Sequence, residues 1–83
     1  MHLTILTPEK EVFNGNIKSV QVPGSSGKFE VLNGHAPIVS SLSKGIIKVT
    51  EESGTQNTYE IEKGFIEVLY NEVSLLIQGL KEK

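Results

Sequence analysis

The sequence predicts an all-β domain, a sandwich or barrel of many short, mostly antiparallel strands. Two observations predict it. Apolar residues recur with a period close to two, as in strands that bury one face. Turn-forming residues interrupt that pattern at short intervals. No segment shows a helical period of useful length, which removes the main competing reading.

In chain order, Leu3 and Ile5 alternate with Thr4 and predict a first strand. Asn14-Gly15 is the sharpest hairpin signal, because both residues tolerate positive φ. The run from Val22 to Val39 holds three glycines and two prolines among short apolar pairs, so the backbone must turn repeatedly between brief extended pieces. Pro23 and Pro37 cannot donate to an inner ladder, so no single ordinary hairpin accounts for the run. A middle strand is expected in Lys44-Gly45-Ile46-Ile47-Lys48-Val49, and residues 51–57 read as a long polar loop with a mobile tip. Tyr59 and Ile61 alternate with glutamates, and Ile66 and Val68 oppose Glu67. Tyr70-Asn71-Glu72 is a turn signal, and Val73, Leu75 and Ile77 share one face of a last strand that runs to about Gln78.

A chain of 83 residues makes one domain, 1–83, and buries only roughly 60% of the surface its unfolded form exposes. No linker, repeat or low-complexity tract divides it. Its eight basic residues are all lysine and its ten acidic residues all glutamate, for a net charge of −2. That balance offers no electrostatic footprint for nucleic acid or an anionic membrane surface. The missing arginine removes the bidentate fork that commonly holds phosphate. Without cysteine there is no disulfide, thiolate metal site or thiol nucleophile. No apolar stretch approaches the length of a membrane span and no signal peptide opens the chain, so a soluble protein is expected.

Few residues invite a chemical reading. His35 stands between Gly34 and Ala36-Pro37, far in sequence from the other histidine. A hydrolase would need a serine and a carboxylate brought to it, and there is no nucleophile elbow. A loop histidine bonded to backbone is the simpler reading. Gly24-Ser25-Ser26-Gly27-Lys28 has two residues between its glycines where a phosphate loop needs four, and a strand rather than a helix follows. Phe13, Phe29, Tyr59, Phe65 and Tyr70 are scattered, with glutamate after Phe65, unlike the stacking platforms of single-strand nucleic-acid binders. They are expected to fill the core between sheets. His2, His35 and the glutamates contain no pair at a usual zinc or calcium spacing. No catalytic residue, metal site or cofactor is expected, and the chain reads as a non-enzyme.

Five motifs in order carry a family resemblance: Thr7-Pro8-Glu9-Lys10 with Phe13-x-Gly15, Gly24-Ser25-x-Gly27, Gly34-His35-Ala36-Pro37, the strand from Lys44 to Val49, and Gly64-Phe65-Ile66-Glu67-Val68. Together they resemble the epsilon subunit of F-type ATP synthases over nearly the whole chain. The resemblance implies a flattened β-sandwich of about ten strands in two sheets. It further implies a non-catalytic rotor subunit at the foot of the central stalk, bound to the gamma subunit and resting on the ring of c subunits. Through the complex such a subunit meets the catalytic alpha/beta head and the membrane, at the cytoplasmic face of the bacterial inner membrane. There it couples proton- or sodium-driven rotation to ATP synthesis.

Carried over by position, the resemblance implies a gamma contact at Gly34, His35, Ala36, Pro37 and Leu42, and a c-ring contact at Ser25, Ser26, Gly27, Lys28 and Glu30. Family members commonly have an acidic residue at the position of Lys28, a glycine at that of Glu30 and a proline at that of Asn33. Residues 28 and 30 point to one side of a strand, so a negative charge is displaced two positions along one face. The family's C-terminal domain of two helices is expected to be absent from this chain. A free-standing sandwich that binds a peptide or carbohydrate is the alternative function, separated from the first by affinity for a gamma subunit.

Overall fold

The computed structural model describes residues 1–81. Leu3 and Ile5 point to the interior from β1 (His2–Leu6), as their alternation with Thr4 requires. The first strand pairs antiparallel with the opening half of β2 (Glu11–Gly24) and parallel with β8 (Glu72–Gln78). From β8 the ladder continues antiparallel to β7 (Lys63–Leu69) and then to β4 (Ile38–Leu42), which meets the far end of β2 at Gly24↔Leu42. The later part of β2 also carries β3 (Gly27–Leu32) on one edge and β5 (Gly45–Glu51) on the other, with β6 (Gln56–Ile61) beyond β5. All eight strands belong to one hydrogen-bonded network, and its two halves, the sheets of the sandwich, share the long β2 over a common core.

This is the expected all-β sandwich, with eight strands rather than about ten, and with β1–β8 as its parallel pair. One of the missing strands is accounted for by β2, which is continuous for 14 residues. Asn14-Gly15, expected as a hairpin turn, lies inside it, with Asn14 opposite Thr4 and Gly15 opposite Leu3. Neither residue has positive φ. The Phe13 ring lies over Gly15, 3.5 Å from where a Cβ would stand, so the aromatic covers the surface that glycine leaves bare.

The long strand serves both sheets because its inward face changes phase. Ile17 is buried, and so are Val20 and Val22, a step from odd to even positions. The register supplies the cause: Ile17 faces Glu51 but Ser19 faces Thr50, which leaves Lys18 as the extra residue of a bulge. A bulge bends the strand and increases its twist, which carries β2 from one sheet toward the other.

Among the described residues fifteen aliphatic side chains form the core, drawn from all eight strands, with no polar or charged residue buried among them. Residues 51–57 are more compact than a long loop. The Glu51 N–H donates to Thr55 O at 2.8 Å and the Gly54 N–H to Glu51 O at 2.9 Å. The Asn57 amide adds a bond to the Glu51 carboxylate at 2.6 Å. After β8 the chain turns back, and the Lys81 N–H donates to Glu60 O on β6 at 2.9 Å. The last two residues of the expected domain, 82 and 83, lie outside the described residues.

Candidate docking surface

The hairpin joining β2 to β3 is fixed from inside and bare outside. Gly24 is buried and pairs with Gly27; a Cβ on Gly24 would come within 2.6 Å of Gly27 O, so the close approach requires glycine there. The Ser25 N–H donates to Ser41 O at 3.0 Å, and the Ser25 and Ser41 hydroxyls are 2.8 Å apart, which ties the tip to β4. The tip residues Ser25, Ser26 and Gly27 are exposed, and so are Lys28 and Glu30 beyond them. Between and after those two, Phe29 is half-buried and Val31 buried, the alternation of a strand with one wet face.

A turn at residues 32–35 follows β3, closed by the His35 N–H donating to Leu32 O at 3.1 Å. Gly34 stands third in it with φ +83, the position and sign that a type II turn gives to glycine. His35 is half-buried, and its Nδ1 lies 2.7 Å from Ala36 O. A carbonyl can only accept, so Nδ1 carries the proton and donates. That is the backbone-bonded loop histidine expected from sequence. Ala36 and Pro37 are exposed beside it. Leu42 is different: it is 3% exposed and belongs to the core. Its side chain packs inward at the end of β4 and is not presented to a partner, a correction to its place among the contact residues.

A larger surface, on the outer face of β4, β7 and β8, was missed in the sequence. On β7, Gly64, Ile66 and Val68 are buried, which turns Phe65, Glu67 and Leu69 outward. Phe65 is 58% exposed and pairs with Leu76, 53% exposed, on β8. Leu76 in turn faces Leu6 on β1, and Phe65 faces Ser41 on β4. One row thus crosses four strands and lines an apolar groove of about 700 Å³ with Thr7 and Pro8 at its end. Val39 and Leu69 extend the apolar area toward Pro37. Phe65 and Tyr70 therefore do not fill the core, contrary to expectation, because they occupy the outward phase of the β7 pattern and the turn after it. The signal was present: Phe65 alternates with Ile66 and shares its face with Glu67.

At the edge of this face His2 joins three elements. Its Nε2 is 2.7 Å from Asn14 Oδ1 on β2 and its Nδ1 is 3.1 Å from Glu72 Oε2 on β8. The Asn14 amide and the Glu72 carboxylate raise the imidazole pKa above its usual value of 6.5, since both accept best from a doubly protonated ring. A raised pKa means that His2 stabilises the fold fully below 6.5 and loses that contribution as pH rises through the higher folded value. An NMR titration should place the His2 midpoint above that of a histidine in an unfolded peptide, and His2→Gln should narrow the difference between acid and neutral stability. A midpoint at or below the peptide value contradicts the pairing.

Among the described residues no group of three potential ligands could hold a metal, and no helix is long and apolar enough to cross a membrane.

The comparisons with known proteins agree with this architecture. The model of the ATP synthase Delta/Epsilon chain beta-sandwich domain matches residues 1–82. The chain belongs to that family. It is 39% identical over 79 residues to an ATP synthase epsilon chain of Campylobacter fetus, covering 95% of this chain and 61% of that one. It is 41% identical over 76 residues to the epsilon chain of Chlorobaculum tepidum, covering 92% of this chain and 86% of that relative. Among solved structures, a chain of the Euglena gracilis mitochondrial ATP synthase superposes with a TM-score of 0.86 at 24% identity, covering 95% of this chain and 51% of that one. A chain of the Tetrahymena thermophila mitochondrial ATP synthase central stalk and c-ring gives 0.80 at 18% identity, covering 98% and 65%. These two likenesses show a shared fold. The family's epsilon chains are non-catalytic subunits of the synthase, and the chain is assigned to that class.

Proposed function

We propose that this domain is a rotor part of an F-type ATP synthase, clamped to the gamma subunit by the outer face of β4, β7 and β8 together with residues 34–37. The observation that carries the reading is the exposed Phe65–Leu76 pair, which lies on the same outer face as Val39 and Leu69, the two residues that continue it toward Pro37. A small domain with an all-aliphatic core leaves two bulky apolar side chains in water only at some cost, and contiguous apolar surface of this kind marks contact sites. Aromatic and aliphatic anchors surrounded by polar residues are the usual centre of such a contact. Here Lys63, Glu67 and Gln78 provide the surround.

On the same reading the exposed tip at Ser25, Ser26 and Gly27, with Lys28 and Glu30, faces polar loops of the c-ring. The serine bonds from the tip to β4 join the ring-facing and gamma-facing parts through one rigid strand pair. Torque passes through such a body without any catalytic group. The complex then couples proton- or sodium-driven rotation to ATP synthesis in the catalytic head, at the cytoplasmic face of the bacterial inner membrane.

Co-purification with the gamma subunit of the same synthase tests the proposal. The domain should be retained through extensive washing, and retention of an unrelated peptide or glycan with no gamma binding favours a free-standing module instead. His35→Ala should leave the thermal midpoint nearly unchanged, because the ring is half-buried and bonded within its own loop. It should weaken gamma binding by about 1–2 kcal/mol, the range of a partly buried contact. Unfolding of the variant with intact affinity per folded molecule assigns His35 to structure alone.

A further inference from the structure

The two central residues of the turn between β7 and β8, Tyr70 and Asn71, both have positive φ, +49 and +61. They link Leu69 to Glu72, which face each other across the ladder. This is the mirror-image two-residue turn whose twist suits a hairpin, and it favours glycine or asparagine. Glycine would satisfy the backbone at position 71 at least as well. Asparagine brings something more: its Oδ1 accepts the Gly34 N–H at 2.8 Å, across 37 positions of sequence. Its backbone carbonyl meanwhile accepts the His2 N–H at 2.9 Å. One turn residue therefore ties the loop at 34–37, the first strand and the β7–β8 hairpin to one another.

We infer that Asn71 is a positioning residue for partner docking: its side-chain carbonyl holds the Gly34 amide and so presets the loop carrying His35, Ala36 and Pro37 at the Val39–Leu69 end of the outer face that also bears Phe65 and Leu76. The inference rests on the gamma-docking reading above. Gly34 is exposed, glycine has the widest backbone freedom, and its position demands positive φ. A loop of that kind samples other conformations unless a bond from outside holds it. Fixing it before contact lowers the entropy lost on binding. Asn71 is itself exposed, so the tie is available without disturbing the core.

The test compares Asn71→Gly, which keeps the turn and removes the acceptor, with Asn71→Asp, which keeps an acceptor and still tolerates positive φ. In the isolated domain, Gly34 amide exchange followed by NMR should accelerate several-fold in Asn71→Gly and stay slow in Asn71→Asp. Gamma affinity should fall roughly three- to tenfold in Asn71→Gly, the fold-change corresponding to one modest hydrogen bond, and return to within about twofold in Asn71→Asp. Unchanged Gly34 exchange in Asn71→Gly refutes the tie. Faster exchange with unchanged gamma affinity refutes the role in docking. Weakened binding in both variants alike refutes it as well, since the loss then does not follow the acceptor. Failure of the unsubstituted chain to bind gamma overturns the docking reading itself, and the exchange data then report the loop tie separately.

Discussion

Phe65→Asp together with Leu76→Ser should abolish gamma binding while the domain stays folded. Each residue is more than half exposed, so the pair contributes little to the core. The cross-strand contact between them is worth about 0.2–1 kcal/mol, and the thermal midpoint should fall by only a few degrees. In the complex the same two side chains are expected to be desolvated at the centre of the interface. Truncating such anchors costs about 2 kcal/mol or more apiece, and a buried unpaired carboxylate adds to that. Binding should drop by well over a hundredfold by calorimetry or surface capture. Retained affinity in a folded double variant would mean that gamma sits elsewhere.

Leu75→Ala should have the opposite signature. Leu75 is fully buried on β8, facing Ile5 across the parallel pair and Ile66 across the antiparallel one. Removing its isobutyl group leaves a cavity between those strands, at a cost of roughly 2–5 kcal/mol. At the usual range of stability per residue, a chain of this length has about 4–12 kcal/mol in total. One substitution therefore removes a large share of it. Urea unfolding should show a midpoint displaced far to lower concentration, and the thermal midpoint should fall by about 8–40 °C. The fraction still folded in the cold should bind gamma normally, because Leu75 does not reach the outer face. A midpoint within two degrees of the unsubstituted chain contradicts the packing described.

Most of the fold was legible because period-two alternation survives in β1, β6, β7 and β8, where one face is buried and one is wet. The final strand ends at Gln78 as the pattern implies. Asn14-Gly15 misled because a local turn preference was outweighed by pairing with β1 and by the Phe13 ring over the glycine. The bulge at Lys18 was hidden for a related reason: Ile17 and Val20 alternate with polar residues on their own, and only the partner strand reveals the skipped position. Of the contact residues carried over by resemblance, those at the two loops are exposed or half-buried at the surface, while Leu42 is sealed by its neighbours. The Phe65–Leu76 row could have been read from β7 alone, since Phe65 lies in phase with Glu67. Its pairing with Leu76 and Leu6 depends on strand order, which no single segment encodes.

The most direct measurement is side-chain footprinting of the domain, free and bound to gamma. Carbene labelling followed by mass spectrometry reports exposure residue by residue, and the outer face of β5 supplies an internal control in Ile46, 52% exposed. Phe65, Leu76 and Val39 should lose most of their labelling in the complex, while Ile46 keeps its own. Unchanged labelling at Phe65 and Leu76, with protection at Ile46 instead, would contradict the account and move the docking surface to the other sheet.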